Sequence, residues 1–409
     1  DANNNIRSII ASGTTGDLVL KPGWGSAGLA METIADDPNG AKKVTGIGTC
    51  TDEDVVIPAG VVEITYGAFT SKTTIISVTM PDTITKIGGH AFRDCTKLQR
   101  LTLSNNLLTI GDYAFSLTGL LEIDIPDSVT SIGGSAFSNC KQLTRVKLSN
   151  SLQVIETGLF EFDSNLTSIE IPEGVQTINT AAFYSAGLLS VYIPSSVTSI
   201  QTWAFAYNSN LADIKVSPAN TTYTSRDADG TECNVIVQVS SKALIAGCKN
   251  SVVPTNVTSI NYGAFTGCTG LTHLEVPSNV LTIDSAFQDS GLRTIKLNEG
   301  LLTLSGAPFG GCKNLVSITI PASVTSIGGN GAFFGSCVSL ETIIVADGNT
   351  VYTSRDKNGN QCNAIIEKST NTLCYGCKTS TIPEGIKTIG AFAFSLCGLE
   401  IINLPSTLV

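Results

Sequence analysis

The sequence predicts a solenoid of stacked coils with a parallel β-sheet along one side. The main observation is a recurring phrase, Ile-Pro-x-x-Val-x-x-Ile-Gly-x-x-Ala-Phe-x-x-Cys-x-x-Leu, whose copies mostly follow one another after 22 to 24 residues. A fixed period in this range is typical of repeat proteins whose units pack on their neighbours. The phenylalanine of each copy falls at Phe69, Phe92, Phe115, Phe137, Phe160, Phe183, Phe205, Phe265, Phe287, Phe309, Phe333 and Phe394.

Each copy begins with a short strand. Leu101 and Leu103 alternate with Arg100 and Thr102, which is the two-residue period of a β-strand. Proline often follows the strand and marks where its pairing stops, because proline has no amide hydrogen to donate. Glycine often follows the second isoleucine, where we expect it to turn the chain. These glycines are Gly88, Gly111, Gly133 and Gly328.

The composition excludes several classes of protein. Of the 409 residues, 42% are hydrophobic and 14% are charged, which indicates a folded chain. The net charge of −10 disfavours nucleic-acid binding, because that function needs a basic surface. No run of 18 apolar residues occurs, so the sequence predicts no transmembrane segment. The chain starts at Asp1 without methionine, and we expect a mature protein whose signal peptide has been removed.

The repeated phrase, between about Val55 and Leu404, resembles the BspA-type (Treponema-like) leucine-rich repeat family. This resemblance implies a right-handed curved solenoid with a parallel sheet on its concave face and turns, short strands or 3-10 segments on its convex face. It also implies a secreted or surface-exposed protein of a host-associated microbe with a role in adhesion.

Two steps of the repeat are much longer than the others, and they match each other after a shift of 129 residues. Both contain a turn dipeptide, Asp229-Gly230 and Asn358-Gly359, followed by an apolar β-rich run. We therefore predict two β-hairpin insertions, at about 217–254 and 346–383. The prediction for the whole chain is an N-terminal capping segment at 1–43, including a strand at Asp17–Leu20, and a solenoid at 44–409.

Ten of the 12 cysteines fall into two groups. Six occupy one position of the repeat, after the phenylalanine, and are predicted to be buried free thiols. Four recur as a pair in each insertion, Cys233 with Cys248 and Cys362 with Cys377. In an oxidising compartment each pair could form a disulfide across its hairpin, and packed thiols are the alternative.

The sequence offers no recognisable catalytic chemistry. The two histidines, His90 and His273, lack a nucleophile motif around them, and no zinc-protease, phosphate-loop or dinucleotide signature occurs. We therefore predict a protein that is not an enzyme and needs no cofactor or metal.

Outward-facing positions of the strands form the predicted binding strip on the concave face. If strands lie about 4.8 Å apart, the acidic pair Glu122 and Asp124 falls between Arg100 and the basic pair Arg145 and Lys147. A self-neutralising charge ladder and a recognition surface are both compatible with this pattern. The candidate residues are Arg100, Glu122, Asp124, Arg145, Lys147, Glu170, Tyr192, Asp213, Lys215, His273 and Glu275.

The function predicted from these observations is adhesion. The expected partner is a protein of the host extracellular matrix or cell surface, and a glycan is an alternative, although Tyr192 is the lone aromatic residue on the predicted strip. Another alternative is a structural spacer that displays a further domain.

Overall fold

The computed structural model describes residues 25–35, 37–328 and 332–408, and every regular element in them is a β-strand. The chain divides into two units, the first ending at Asp163 and the second beginning at Ser164. The strand predicted at Asp17–Leu20 lies outside the described residues. The boundary of the capping segment therefore stays a prediction.

Within residues 25–35 and 37–163, the first unit has 12 short strands. They are β1 (Ala30–Thr33), β2 (Lys42–Gly46), β3 (Asp54–Val56), β4 (Val61–Ile64), β5 (Ser77–Thr79), β6 (Lys86–Ile87), β7 (Arg100–Thr102), β8 (Thr109–Ile110), β9 (Glu122–Asp124), β10 (Ser131–Ile132), β11 (Arg145–Lys147) and β12 (Val154–Ile155).

Two strand-bearing sides alternate along the first unit. On the first side, β3, β5 and β7 form a parallel sheet, and β9 pairs in parallel with β11. On the second side, β2, β4, β6, β8 and β10 form a parallel sheet that β1 extends as an antiparallel edge strand. The sequence predicted the first sheet, whereas the second was expected only as turns or short strands.

A third side of each coil is made of turns that also bond from coil to coil. In the first unit the amides of Phe69, Phe92 and Phe115 donate to the alanine carbonyl of the next coil, at 2.7 Å from Phe92 to Ala114 and 2.8 Å from Phe115 to Ala136. The Phe137 amide donates to the Leu159 carbonyl at 3.2 Å. These turns satisfy buried backbone groups that no strand pairs. We call this third side the turn edge.

Phenylalanine rings fill the core of the first unit. Phe69, Phe92, Phe115, Phe137 and Phe160 are each 0% exposed and stack in succession. The centroids of successive rings are 4.9, 5.3, 5.4 and 5.8 Å apart, and their planes lie within 11° of parallel. This spacing matches that of paired strands, so one ring per coil provides a continuous column.

The glycines after the second isoleucine act differently from the prediction. Gly111 does not have a positive φ. A Cβ there would lie 2.4 Å from the amide nitrogen of Gly89 in the preceding coil. The residue is therefore needed for close backbone approach between coils. The positive φ of the turn occurs two residues after these glycines, for example at His90 after Gly88 and at Tyr113 after Gly111.

The described part of the second unit, residues 164–328 and 332–408, has 19 strands. They are β13 (Thr177–Ile178), β14 (Ser190–Ile193), β15 (Ser199–Ile200), β16 (Asp213–Val216), β17 (Tyr223–Arg226), β18 (Glu232–Gln238), β19 (Ala243–Gly247), β20 (Ser259–Ile260), β21 (His273–Val276), β22 (Thr282–Asp284), β23 (Thr294–Leu297), β24 (Thr303–Ser305), β25 (Ser317–Ile320), β26 (Ser326–Gly328), β27 (Thr342–Val345), β28 (Tyr352–Arg355), β29 (Gln361–Glu367), β30 (Thr372–Gly376) and β31 (Thr388–Ile389).

The second unit repeats the two-sheet plan. On the first side, β14 pairs with β16, and β21, β23, β25 and β27 form a parallel sheet. On the second side, β13 pairs with β15, and β20, β22, β24 and β26 follow one another in parallel.

The predicted hairpin insertions are confirmed, and each contains three antiparallel strands. The first is β17–β18–β19, joined to the second side because β19 pairs in parallel with β20. The second is β28–β29–β30, joined in the same way to β31. Equivalent hydrogen bonds anchor both: the hydroxyl of Tyr223 accepts from the Ile200 amide, and that of Tyr352 from the Ile327 amide, each at 2.9 Å.

The rings around the second insertion depart from the regular stack. Phe334 stacks on Phe309 at 5.9 Å and 19°, whereas Phe333 meets Phe309 edge-on at 66°. Phe334 therefore takes the column position that the sequence assigned to Phe333. Phe333 stacks instead on Tyr375 of the hairpin, at 4.8 Å.

Candidate functional site

In the first unit, the predicted strip residues do lie on the exposed face of the first side. Parallel pairing places Arg145 beside Glu122 and Lys147 beside Asp124. The Arg145 guanidinium bridges both acids, with Nε 3.0 Å from Glu122 and Nη1 2.7 Å from Asp124. The hydrogen bonds that Arg145 donates to Asp124 and Glu122 raise its pKa. This cluster is preorganised, because one guanidinium holds two carboxylates.

Arg100 does not join that cluster. Its guanidinium lies 3.4 Å from Asp54, two coils toward the N-terminus. The sequence placed Arg100 beside the acidic pair, and it missed Asp54. The face thus carries separate ion pairs, each exposed and each contributing little to stability.

In the second unit, the strip residues fall in different environments. Tyr192 is 48% exposed, and Lys215 pairs with Asp213 at 3.0 Å. Glu170 is exposed but lies outside any assigned strand. Glu275 pairs with Lys296 at 2.7 Å, and hydrogen bonds from Lys296 and Asn298 lower its pKa.

A groove opens beside the first insertion and contains two predicted strip residues. Its volume is ≈ 460 Å³, and Val252, His273, Glu275 and Lys296 are among the residues that line it. Val252 comes from the segment after the hairpin and is 62% exposed. An exposed apolar side chain next to a charged pair is an arrangement found where proteins recognise partners.

The exposed aromatic residues lie mainly on the turn edge, which the sequence analysis did not identify as a surface. In the first unit, the Tyr66, His90 and Tyr113 rings follow one another at centroid distances of 5.0 Å. In the second unit, Trp203 contacts Tyr262 at 5.4 Å, and Tyr184 contacts Tyr207 at 4.8 Å. In the sequence these aromatic residues stand close to a repeat phenylalanine, and this pattern could have identified the surface.

The repeat cysteines are buried and donate across coils. The Cys95 thiol donates to the Phe69 carbonyl at 3.0 Å, and Cys140 donates to Phe115 at 3.1 Å. Burial raises the pKa of Cys95 to about 12 and that of Cys312 to about 11. Thiols that stay protonated at neutral pH are poor nucleophiles, so this column is structural.

Asp163 occupies the same position in its coil and is 0% exposed. One carboxyl oxygen accepts from the Cys140 amide at 2.7 Å, and the other is buried without a partner among the described residues. Burial raises the pKa of Asp163 well above its ordinary value. The corresponding residue in a later coil is Asn208, whose amide nitrogen donates to the Phe183 carbonyl at 2.7 Å.

The hairpin cysteines are free thiols in the structure. Cys362 packs in a cluster with Ile366 and Leu373, whereas Cys377 belongs to the separate cluster around Phe333. This packing argues against a Cys362–Cys377 disulfide, and the disulfides of both hairpins stay a prediction.

Thiol counting tests the cysteine assignment. We expect all 12 thiols to react with Ellman's reagent in denaturant without reductant, and few to react in the native protein, because all but Cys374 are buried. Four fewer thiols in the denatured sample would instead show that both hairpin pairs are oxidised.

The described residues contain no group of three or more His, Cys, Asp and Glu side chains able to hold a metal ion. His90 lies 3.3 Å from the Arg93 guanidinium, and His273 bonds to the Thr272 hydroxyl at 2.9 Å. In the same residues, no helix is long and apolar enough to span a bilayer.

Comparison with known families agrees with the coil geometry. The model of the BspA type leucine rich repeat region matches residues 48–165, 136–234, 245–357 and 364–409. The chain belongs to the BspA-type leucine-rich repeat family. The resemblance inferred from the repeated phrase is thereby confirmed, and so is the leucine-rich repeat solenoid as the fold. Proteins of this repeat family are typically not enzymes.

Two solved structures show the same fold. A leucine-rich cell-surface protein of Faecalibacterium prausnitzii is 24% identical with a TM-score of 0.55, covering 80% of this chain and 96% of that one. The pneumococcal vaccine antigen PcpA is 19% identical with a TM-score of 0.58, covering 95% and 90%. No curated protein matches this BspA-type chain significantly.

Proposed function

We propose that this BspA-type protein is a non-enzymatic, extracellular binding protein that attaches to proteins of a host or neighbouring cell. The observation that carries this proposal is the groove beside the first insertion, which joins exposed Val252 to the His273, Glu275 and Lys296 side chains. The family and the name of the Faecalibacterium relative support a location on the cell surface.

The binding surface in this proposal is the exposed face of the first side in both units. Strands fix the spacing of its polar side chains, so little conformational entropy is lost on binding. Its charges are already paired, and we expect them to select the partner rather than to provide most of the affinity.

The test is binding of the purified chain to extracellular-matrix proteins and whole cells. We expect Val252→Asp combined with Lys296→Glu to lower affinity about tenfold or more, because it places negative charge in the groove. Arg145→Glu with Lys147→Glu tests the face of the first unit in the same assay.

Lys86→Glu is the matched control. Lys86 is exposed and paired with Glu63 at 2.9 Å, but it lies on the second side. Equal losses in the control and the groove variant would contradict the proposed surface, and absence of binding by the unmodified chain would favour the spacer alternative.

A further inference from the structure

The turn edge of the first unit carries an exposed ring stack. Tyr66 lies 5.0 Å from His90, which lies 5.0 Å from Tyr113, the distances being between ring centroids. The Arg93 guanidinium sits over Tyr113, 5.6 Å from its centroid, and reaches His90 Nδ1 at 3.3 Å. Three consecutive coils thus each present one aromatic ring.

These rings are at the surface rather than in the core. Tyr66 is 71% exposed and Tyr113 is 41% exposed. The Tyr66 ring packs against His90 and lies over Gly89, and its 71% exposure leaves the rest of the phenol accessible to solvent. An open ring face next to polar nitrogen and hydroxyl groups has the amphipathic character common in recognition sites.

The backbone at these residues adds a second observation. His90 and Tyr113 adopt left-handed conformations with φ of 56°. The same turn position holds Gly67 in the preceding coil and Ser135 in the following one. A left-handed backbone conformation costs free energy when the residue is bulky. The Tyr113 side chain is 41% exposed, so burial in the core does not offset that cost. The fold accepts small residues there, so it does not itself require the rings.

We infer that this ring stack binds a carbohydrate chain, with a pyranose ring packed on the open face of Tyr66. Pyranose faces carry C–H groups that pack on aromatic rings, and their hydroxyls can pair with Arg93, His90 and the Tyr113 hydroxyl. The charge of Arg93 is already balanced by Asp94, 3.6 Å away. We therefore expect the glycan to be uncharged.

This inference rests on the proposed extracellular role but uses a different surface from the groove. A glycan array followed by titration with the best soluble oligosaccharide is the experiment. We expect Tyr66→Ala to weaken binding about tenfold, because it removes the stacking face. Tyr113→Ser, which copies Ser135, is expected to weaken binding while keeping or raising the melting temperature.

Leu108→Ala is the control, since Leu108 is 48% exposed in the same unit and belongs neither to the ring stack nor to the binding strip. It should leave glycan affinity unchanged. Failure of the unmodified chain to bind any glycan, or equal losses in Tyr66→Ala and Leu108→Ala, would overturn the inference. Loss of a protein partner without any glycan binding would make the edge a protein interface and also overturn it. The groove variant tests the proposed function separately.

Discussion

Phe115→Ala is expected to lower the free energy of unfolding by about 3–5 kcal/mol, as truncation of a buried phenylalanine does in other cores. Phe115 is 0% exposed and stacks between Phe92 at 5.3 Å and Phe137 at 5.4 Å. Each coil of a solenoid is stabilised by its two neighbours, so the cavity weakens two interfaces. Denaturant unfolding measured by circular dichroism gives the difference.

Leu108→Ala is the control, because Leu108 belongs to the same coil and is 48% exposed. It should change the free energy of unfolding by about 0.5 kcal/mol or less. Similar losses in the two variants would contradict a core organised around the ring column.

Asp163→Asn is expected to stabilise the protein at neutral pH by about 1–3 kcal/mol, the usual cost of a buried polar group without a partner. The amide oxygen can keep the bond from the Cys140 amide. The amide nitrogen becomes a donor, the role that Asn208 fulfils toward the Phe183 carbonyl. Melting temperatures of the two proteins measure the effect.

The stabilisation expected for Asp163→Asn should depend on pH in a defined direction. Because burial raises the pKa of Asp163 above its ordinary value of 3.8, the folded chain holds a proton that the unfolded chain loses. The resulting stability is complete below the unfolded pKa and is lost as pH rises through the folded pKa. The advantage of Asp163→Asn should therefore be larger at pH 8 than at pH 4.

Asp127→Asn provides a control of opposite sign. Hydrogen bonds from the Asn150 amide and side chain lower the pKa of exposed Asp127. Its carboxylate therefore contributes stability above the unfolded pKa that is lost as pH falls through the folded pKa. A constant advantage of Asp163→Asn across pH, or none, would show that Asp163 is not held protonated.

The sequence predicted the features that follow from a constant repeat. Equal spacing between copies places Arg145 beside Glu122, and period-two alternation puts both side chains in solvent. The insertions were predictable because the shift of 129 residues aligns their turns and apolar runs. Local patterns and repeat length suffice for such features.

Other features depend on contacts between coils that no spacing reveals. Tyr66 stands one residue earlier in its turn than His90 does, yet the two rings are in contact. They meet because the Tyr66 ring lies over Gly89, where a Cβ atom would come within 3.3 Å of that ring. The ion pair of Arg100 with Asp54 spans two coils, which depends on side-chain reach rather than on register. The positions of the strip residues on their strands follow from strand register, which the sequence predicts. The ring stack depends on contacts between coils, and the sequence analysis did not identify it.

The hydrogen bonds between turns, such as Phe92 to Ala114, run along the direction in which the coils of the first unit stack. A pull along that direction loads the coil interfaces in series, so they open one at a time. Each opened coil frees about 23 residues, which span about 75 Å when fully extended. In the folded stack, the rings of successive coils are only 5.3 Å apart. A chain built in this way lengthens stepwise under load and dissipates energy as each coil opens.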